Sequence, residues 1–133
     1  MSIGFVQILW VVAGAVASAA TIGGFRAVGF TRDRATWPLV TIAIALAYVA
    51  LATGAGAPIA MGMETLLSLP FIALAIVAFH RNRFFLVGAL VGHALLDLLH
   101  VNLLQNPGVP SGYPWLCLGF DLVLAGWVLA HRS

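Results

Sequence analysis

Apolar residues run along this chain in blocks long enough to cross a bilayer, broken by short connections, with few polar positions inside the blocks. A hydrocarbon core about 30 Å thick takes roughly 20 residues of helix per crossing. The pattern predicts five spans, at about 3–25, 38–53, 58–79, 84–104 and 115–130. Span one carries the small-residue stretch Ala13-Gly14-Ala15-Val16-Ala17-Ser18-Ala19, suited to close helix contact. Ala17-Ser18-Ala19 resembles a signal-peptidase site, but no positively charged segment precedes the apolar run, so the span is read as retained.

The connections are distinctive. Arg26, Arg32, Asp33 and Arg34 form a basic link, with Trp37 at the expected interface and Pro38 where a helix begins without losing a hydrogen bond. Gly54-Ala55-Gly56-Ala57-Pro58 suits a helical hairpin, and Pro70 is expected to kink span three by leaving the Leu66 carbonyl unbonded. His80-Arg81-Asn82-Arg83 is a basic turn. Gly88 and Gly92 in span four have GxxxG spacing, which predicts a close helix neighbour. Residues 105–114 hold three prolines and two glycines and read as a loop that connects spans four and five, or roofs what lies beneath it.

Composition turns this pattern into a fold class. Of 133 residues 62% are apolar and 8% charged, more apolar surface than a soluble domain of this size can bury. The chain reads as an all-α, polytopic membrane helix bundle of five transmembrane helices, a single domain over 1–133 solvated by membrane lipids. The net charge of +2 comes with six arginines and no lysine, too few and too scattered for nucleic acid. If the spans alternate, all six fall on one face, and the positive-inside rule makes that face cytoplasmic. The N-terminus is then outside and the C-terminus cytoplasmic. Cys117 is the only cysteine, so no internal disulfide forms.

Three of the four acids lie inside spans: Glu64, Asp97 and Asp121. An acid at the centre of a lipid-facing helix costs about 2.5 to 3.5 kcal/mol, so such residues face the bundle and take partners. Counted from the span ends, each lies roughly 10 Å below the outer boundary, three acids on three helices at one level. Span four adds His93-x-x-x-Asp97-x-x-His100, which falls within about 60° of one helical face, His93 being the deepest. Asn102 points elsewhere, and Gln105 and Asn106 belong to the outer mouth.

Imidazole and carboxylate on one face are ligands for a divalent metal (zinc, iron or manganese), with His93, Asp97, His100 and Asp121 as the candidate set. Glu64 and Asp121 are the candidates for proton handling in catalysis. The alternative is an interhelical hydrogen-bond network in which protonated acids pair with neutral histidines, backbone carbonyls, Tyr48 or Ser68. Cys117, one turn before Asp121, is a soft ligand or nucleophile on one reading and a small packing residue on the other. His80 and His131, beside arginines, read as interfacial.

An acid in span three, HxxxDxxH in span four and Tyr113-Pro114-Trp115-Leu116-Cys117-Leu118-Gly119-Phe120-Asp121 opening span five together resemble a family of small uncharacterised bacterial integral membrane proteins, a domain of unknown function. The resemblance covers the C-terminal half and is carried by Glu64, His93, Asp97, His100, Tyr113, Pro114, Cys117 and Asp121. It implies a shared site, and a multi-pass location in a bacterial inner (plasma) membrane, without implying an activity. A looser chemical similarity links the residues to membrane hydrolases of the ceramidase and progestin-receptor type, which use intramembrane histidines and an aspartate around zinc. Those have more spans than this chain, so the likeness concerns reaction type alone.

Three functions remain open on the sequence. One is a metal-dependent membrane enzyme, such as a hydrolase, acting on a lipid or other apolar substrate from the outer leaflet. A second is a proton or cation transporter, and a third is a structural accessory subunit held by a polar packing network. Small-residue helix faces also suit a homo-oligomer.

Overall fold

Lipid offers the backbone no hydrogen-bond partner, so each apolar block must close its own bonds as a helix. In the computed structural model, which describes residues 4–131, five helices do so: α1 Phe5–Ala27, α2 Thr36–Gly54, α3 Pro58–His80, α4 Arg83–Leu103 and α5 Tyr113–Ala130. Each is long and apolar enough to cross a membrane, and no strand is present among the described residues. Ile3 and Arg132, which the sequence assigns to the first span and to the basic face, lie outside the described residues.

The helix ends follow local chemistry. Pro58 opens α3 and Pro114 stands in the first turn of α5, where a missing N–H costs nothing, so α5 begins two residues earlier than the apolar pattern suggests. Asn82 caps α4, its side chain accepting from the Phe84 N–H at 3.0 Å. Gly29 and Gly56, at φ +85° and +65°, make the left-handed turns after α1 and α2. Thr21, Thr41, Thr53 and Thr65 return their hydroxyls to the carbonyl four residues back, which keeps them satisfied within apolar helices.

The helices lie side by side in the order α2, α3, α4, α5, α1, with α2 also touching α4. Near the arginine-bearing end the interior is apolar, built on Ile22, Trp37, Leu86, Leu90, Leu124 and Val128. Trp37 stands at a span end as expected but turns inward, 3% exposed and stacked on Phe25 at 5.6 Å. Helix α1 buries only Gly14, Ser18 and Ile22, a single narrow stripe.

That stripe corrects one expectation. GxxxG spacing in span four predicts a close neighbour, yet no atom lies within 4 Å of a side chain built at Gly88, and Gly92 meets only the Phe71 ring. The close approach is between α1 and α5. A Cβ on Gly14 would overlap the Leu116 carbonyl, and one on Gly119 would overlap the Val11 carbonyl. Replacing Gly119 with valine must push the two backbones apart. Gly119→Val is expected to destabilise the bundle by about 1 to 3 kcal/mol, while Gly88→Val changes stability by less than about 0.5 kcal/mol. Thermal unfolding of both variants in detergent tests the contrast.

A candidate metal centre and its roof

Glu64, His93, Asp97, His100 and Asp121 are each no more than 2% exposed, so all five of these ionisable side chains face the bundle. Their helices supply them from different directions. His93, Asp97 and His100 run down one face of α4, which lies between α3, bearing Glu64, and α5, bearing Asp121.

The result is a column and not a single layer. His93 Nδ1 lies 2.8 Å from Asp121 Oδ2 and 3.6 Å from Asp97 Oδ2. His100 Nε2 lies 2.7 Å from Glu64 Oε2. His93 and His100 are seven residues apart on the helix, a rise of roughly 10 Å. The expectation of three acids at one depth with His93 beneath them is therefore corrected: Asp121 sits with His93, and Glu64 sits with His100 nearer the helix end. A carboxylate side chain reaches a few ångströms along the bundle, enough to change which histidine it meets.

Tyr48 of α2 ties the two levels together. Its hydroxyl donates to Asp97 Oδ1 at 2.8 Å, and its ring stacks on His100 with centroids 3.9 Å apart. The His93 ring is held edge-to-face by Phe71 at 5.0 Å. Ser68, an alternative partner on sequence grounds, bonds instead to the Thr65 carbonyl.

Two carboxylate oxygens are left over. Asp97 Oδ2 and Asp121 Oδ1 are buried and have no hydrogen-bond partner. A buried acceptor of this kind is costly, the more so if its carboxylate is ionised. One nitrogen of His93 and one oxygen each of Asp97 and Asp121 lie within 4.8 Å of one another, a spacing compatible with ligands around a common ion. Two ligand atoms each about 2.1 Å from an ion stand roughly 3 to 4 Å apart. The group that closes thus contains three of the four candidate ligands. His100 is engaged with Glu64 and stands outside it, and Cys117, though buried, is not a member.

The connection between α4 and α5 is the roof. Asn106 donates from Nδ2 to Glu64 Oε2 at 2.7 Å and to the Tyr48 carbonyl at 3.0 Å, while its Oδ1 accepts from the Gly108 N–H. Gly108 rests on the Leu51 carbonyl and Gly112 on the Trp10 indole, approaches that a side chain would block. The loop and His100 line a cavity of about 560 Å³, with Leu104, Gln105, Asn106 and Pro114 among its walls. The sequence places Asn106 at the outer mouth but gives it no partner. An asparagine before Pro-Gly signals a local turn, and nothing in it signals a partner 42 positions away.

Comparison with protein-family models, with curated proteins and with solved structures finds no match. The site therefore has to be read from its own geometry.

Removing the Asn106 amide should loosen the roof before it harms the bundle. Asn106→Ala is expected to make residues 104–112 markedly more sensitive to protease in detergent with the helices still folded by circular dichroism. Tyr48→Phe strips Asp97 of its donor and is expected to cost about 1 to 3 kcal/mol in thermal unfolding. Unchanged proteolysis and an unchanged melting temperature would contradict these assignments.

Proposed function

We propose that His93, Asp97 and Asp121 hold one divalent metal ion, and that the centre acts on a lipid or other apolar substrate entering through the roofed cavity. The observation that carries the reading is the pair of orphaned carboxylate oxygens, Asp97 Oδ2 and Asp121 Oδ1, on two of the three residues whose ligand atoms cluster with those of His93. A cation there would engage both.

Charge balance supports the same reading. Three buried carboxylates stand against two imidazoles. A divalent ion on His93 and the two aspartates would offset the acids at that level, while Glu64 keeps its bond to His100. Mixed nitrogen and oxygen ligands suit zinc, iron or manganese. Three protein ligands leave coordination positions for substrate or water, as catalytic sites require. When bound, the metal would polarise a carbonyl or activate water. Glu64, bonded to His100 on the cavity wall, would handle protons.

A metal-free packing network is the second reading, and the direct bonds His93–Asp121, His100–Glu64 and Tyr48–Asp97 favour it. It accounts for the two orphaned oxygens by placing a proton on one of the aspartates. A resemblance to small bacterial inner-membrane proteins agrees with either.

Elemental analysis of the detergent-purified protein distinguishes them. About one equivalent of zinc, iron or manganese is expected per chain, lost in His93→Ala and in Asp121→Asn and kept in His100→Ala. Metal-free protein whose melting temperature does not respond to any of the three added ions would leave the packing network as the function of the cluster.

A further inference from the structure

At the opposite end of the bundle, four basic side chains from three chain segments surround a second cavity, of about 320 Å³. Arg34 comes from the link before α2, Arg81 and Arg83 from the turn between α3 and α4, and His131 from the end of α5. The floor is apolar, with Trp37, Leu86 and Val128 among its walls. Among the described residues no carboxylate lines it, and no arginine has one within ion-pair distance. Asp33, the acid nearest in sequence, spends Oδ1 on the Ala35 N–H at 2.8 Å.

Two of the guanidinium groups are already positioned. Arg34 donates to the Phe79 carbonyl and lies over the Phe79 ring, 5.0 Å from its centroid. Arg83 donates from Nε to the Leu129 carbonyl at 3.4 Å and lies 4.8 Å over the Phe84 ring. Each guanidinium has five N–H donors, so most remain available after these contacts. Planar, pre-ordered guanidinium groups match phosphate oxygens in paired hydrogen bonds.

We propose that this cavity binds the phosphodiester headgroup of an anionic phospholipid from the leaflet on the arginine-bearing face, which the positive-inside rule makes the cytoplasmic one. The positive-inside rule explains why arginines lie on this face but not why Arg34, Arg81 and Arg83 gather around one cavity while Arg26 and Arg32 stand apart from it. Its position decides between a lipid and a soluble anion. The cavity opens at the ends of α2, α3, α4 and α5, the level of lipid headgroups, and exposed apolar residues of the same helix ends, Leu39, Val77, Phe84 and Leu129, offer the acyl chains of a bound lipid an outer face to lie on. A free phosphate would meet the same arginines and gain nothing from those faces.

The test uses the whole chain purified in a neutral detergent, with thermal unfolding read against added dioctanoyl phosphatidylglycerol, dioctanoyl phosphatidylcholine or inorganic phosphate. The anionic lipid is expected to raise the melting temperature in a saturable way, and the other two are not. Arg81→Gln is expected to weaken the apparent affinity about fivefold, and it is the safest variant because Arg81 makes no side-chain hydrogen bond to the described residues. Arg34→Gln combined with Arg81→Gln should abolish the response. Arg26→Gln combined with Arg32→Gln, which removes equal charge from the same face, should leave it intact. The proposal is overturned if phosphate alone gives the same shift, if both lipids act alike, or if the two double variants behave identically.

Discussion

A carboxylate in hydrocarbon must find a partner, and that constraint organises this bundle. Glu64, Asp97 and Asp121 sit on three helices, and each is met by a side chain from another element: His100, Tyr48 and His93. These contacts fix how α2, α3, α4 and α5 are rotated about their axes, since a helix turned by one residue moves its polar group about 100° away. Four helices are keyed to one another by three acids. Helix α1 takes no part in these contacts and is attached by close backbone packing at Gly14 and Gly119.

The spans were legible because lipid imposes a one-dimensional rule of about 20 apolar residues per crossing. Their ends shifted where capping chemistry intervened, as at Asn82 and Pro114. The site residues were legible through their cost, and the helical angle correctly turned His93, Asp97 and His100 to one side. Pairing was not legible. An angle on α4 says nothing about how far the Glu64 side chain reaches along α3, and it reaches His100. Tyr48 could be named as a partner because few polar groups lie within spans, whereas Asn106 could be placed at the outer mouth but not paired. Gly88 and Gly92 show the converse error, a motif spacing with no helix seated on it. The contact on α5 rests on a single glycine, which has no spacing to recognise.

The interior is also divided along its length. Polar groups occupy the half towards the roof, and beyond them Leu86, Leu90, Leu124 and Val128 close the space before the arginine-bearing end. Leu90 and Leu124 are completely buried. Of the buried polar side chains, Thr41 lies one turn from Trp37 on α2, its hydroxyl bonded to the Trp37 carbonyl. The acidic column and the basic cavity lie at opposite ends of the bundle, with this apolar cluster between them.

Asn106 has a consequence for whatever enters the roofed cavity. Its amide donates to Glu64 and to the α2 backbone together, so an occupant that displaces it costs each of these acceptors a hydrogen bond unless it supplies replacement donors. Plain hydrocarbon cannot do this. An amphiphile carrying an amide or a hydroxyl at the right point can, and the discrimination between them would arise at the doorway, before any chemistry begins.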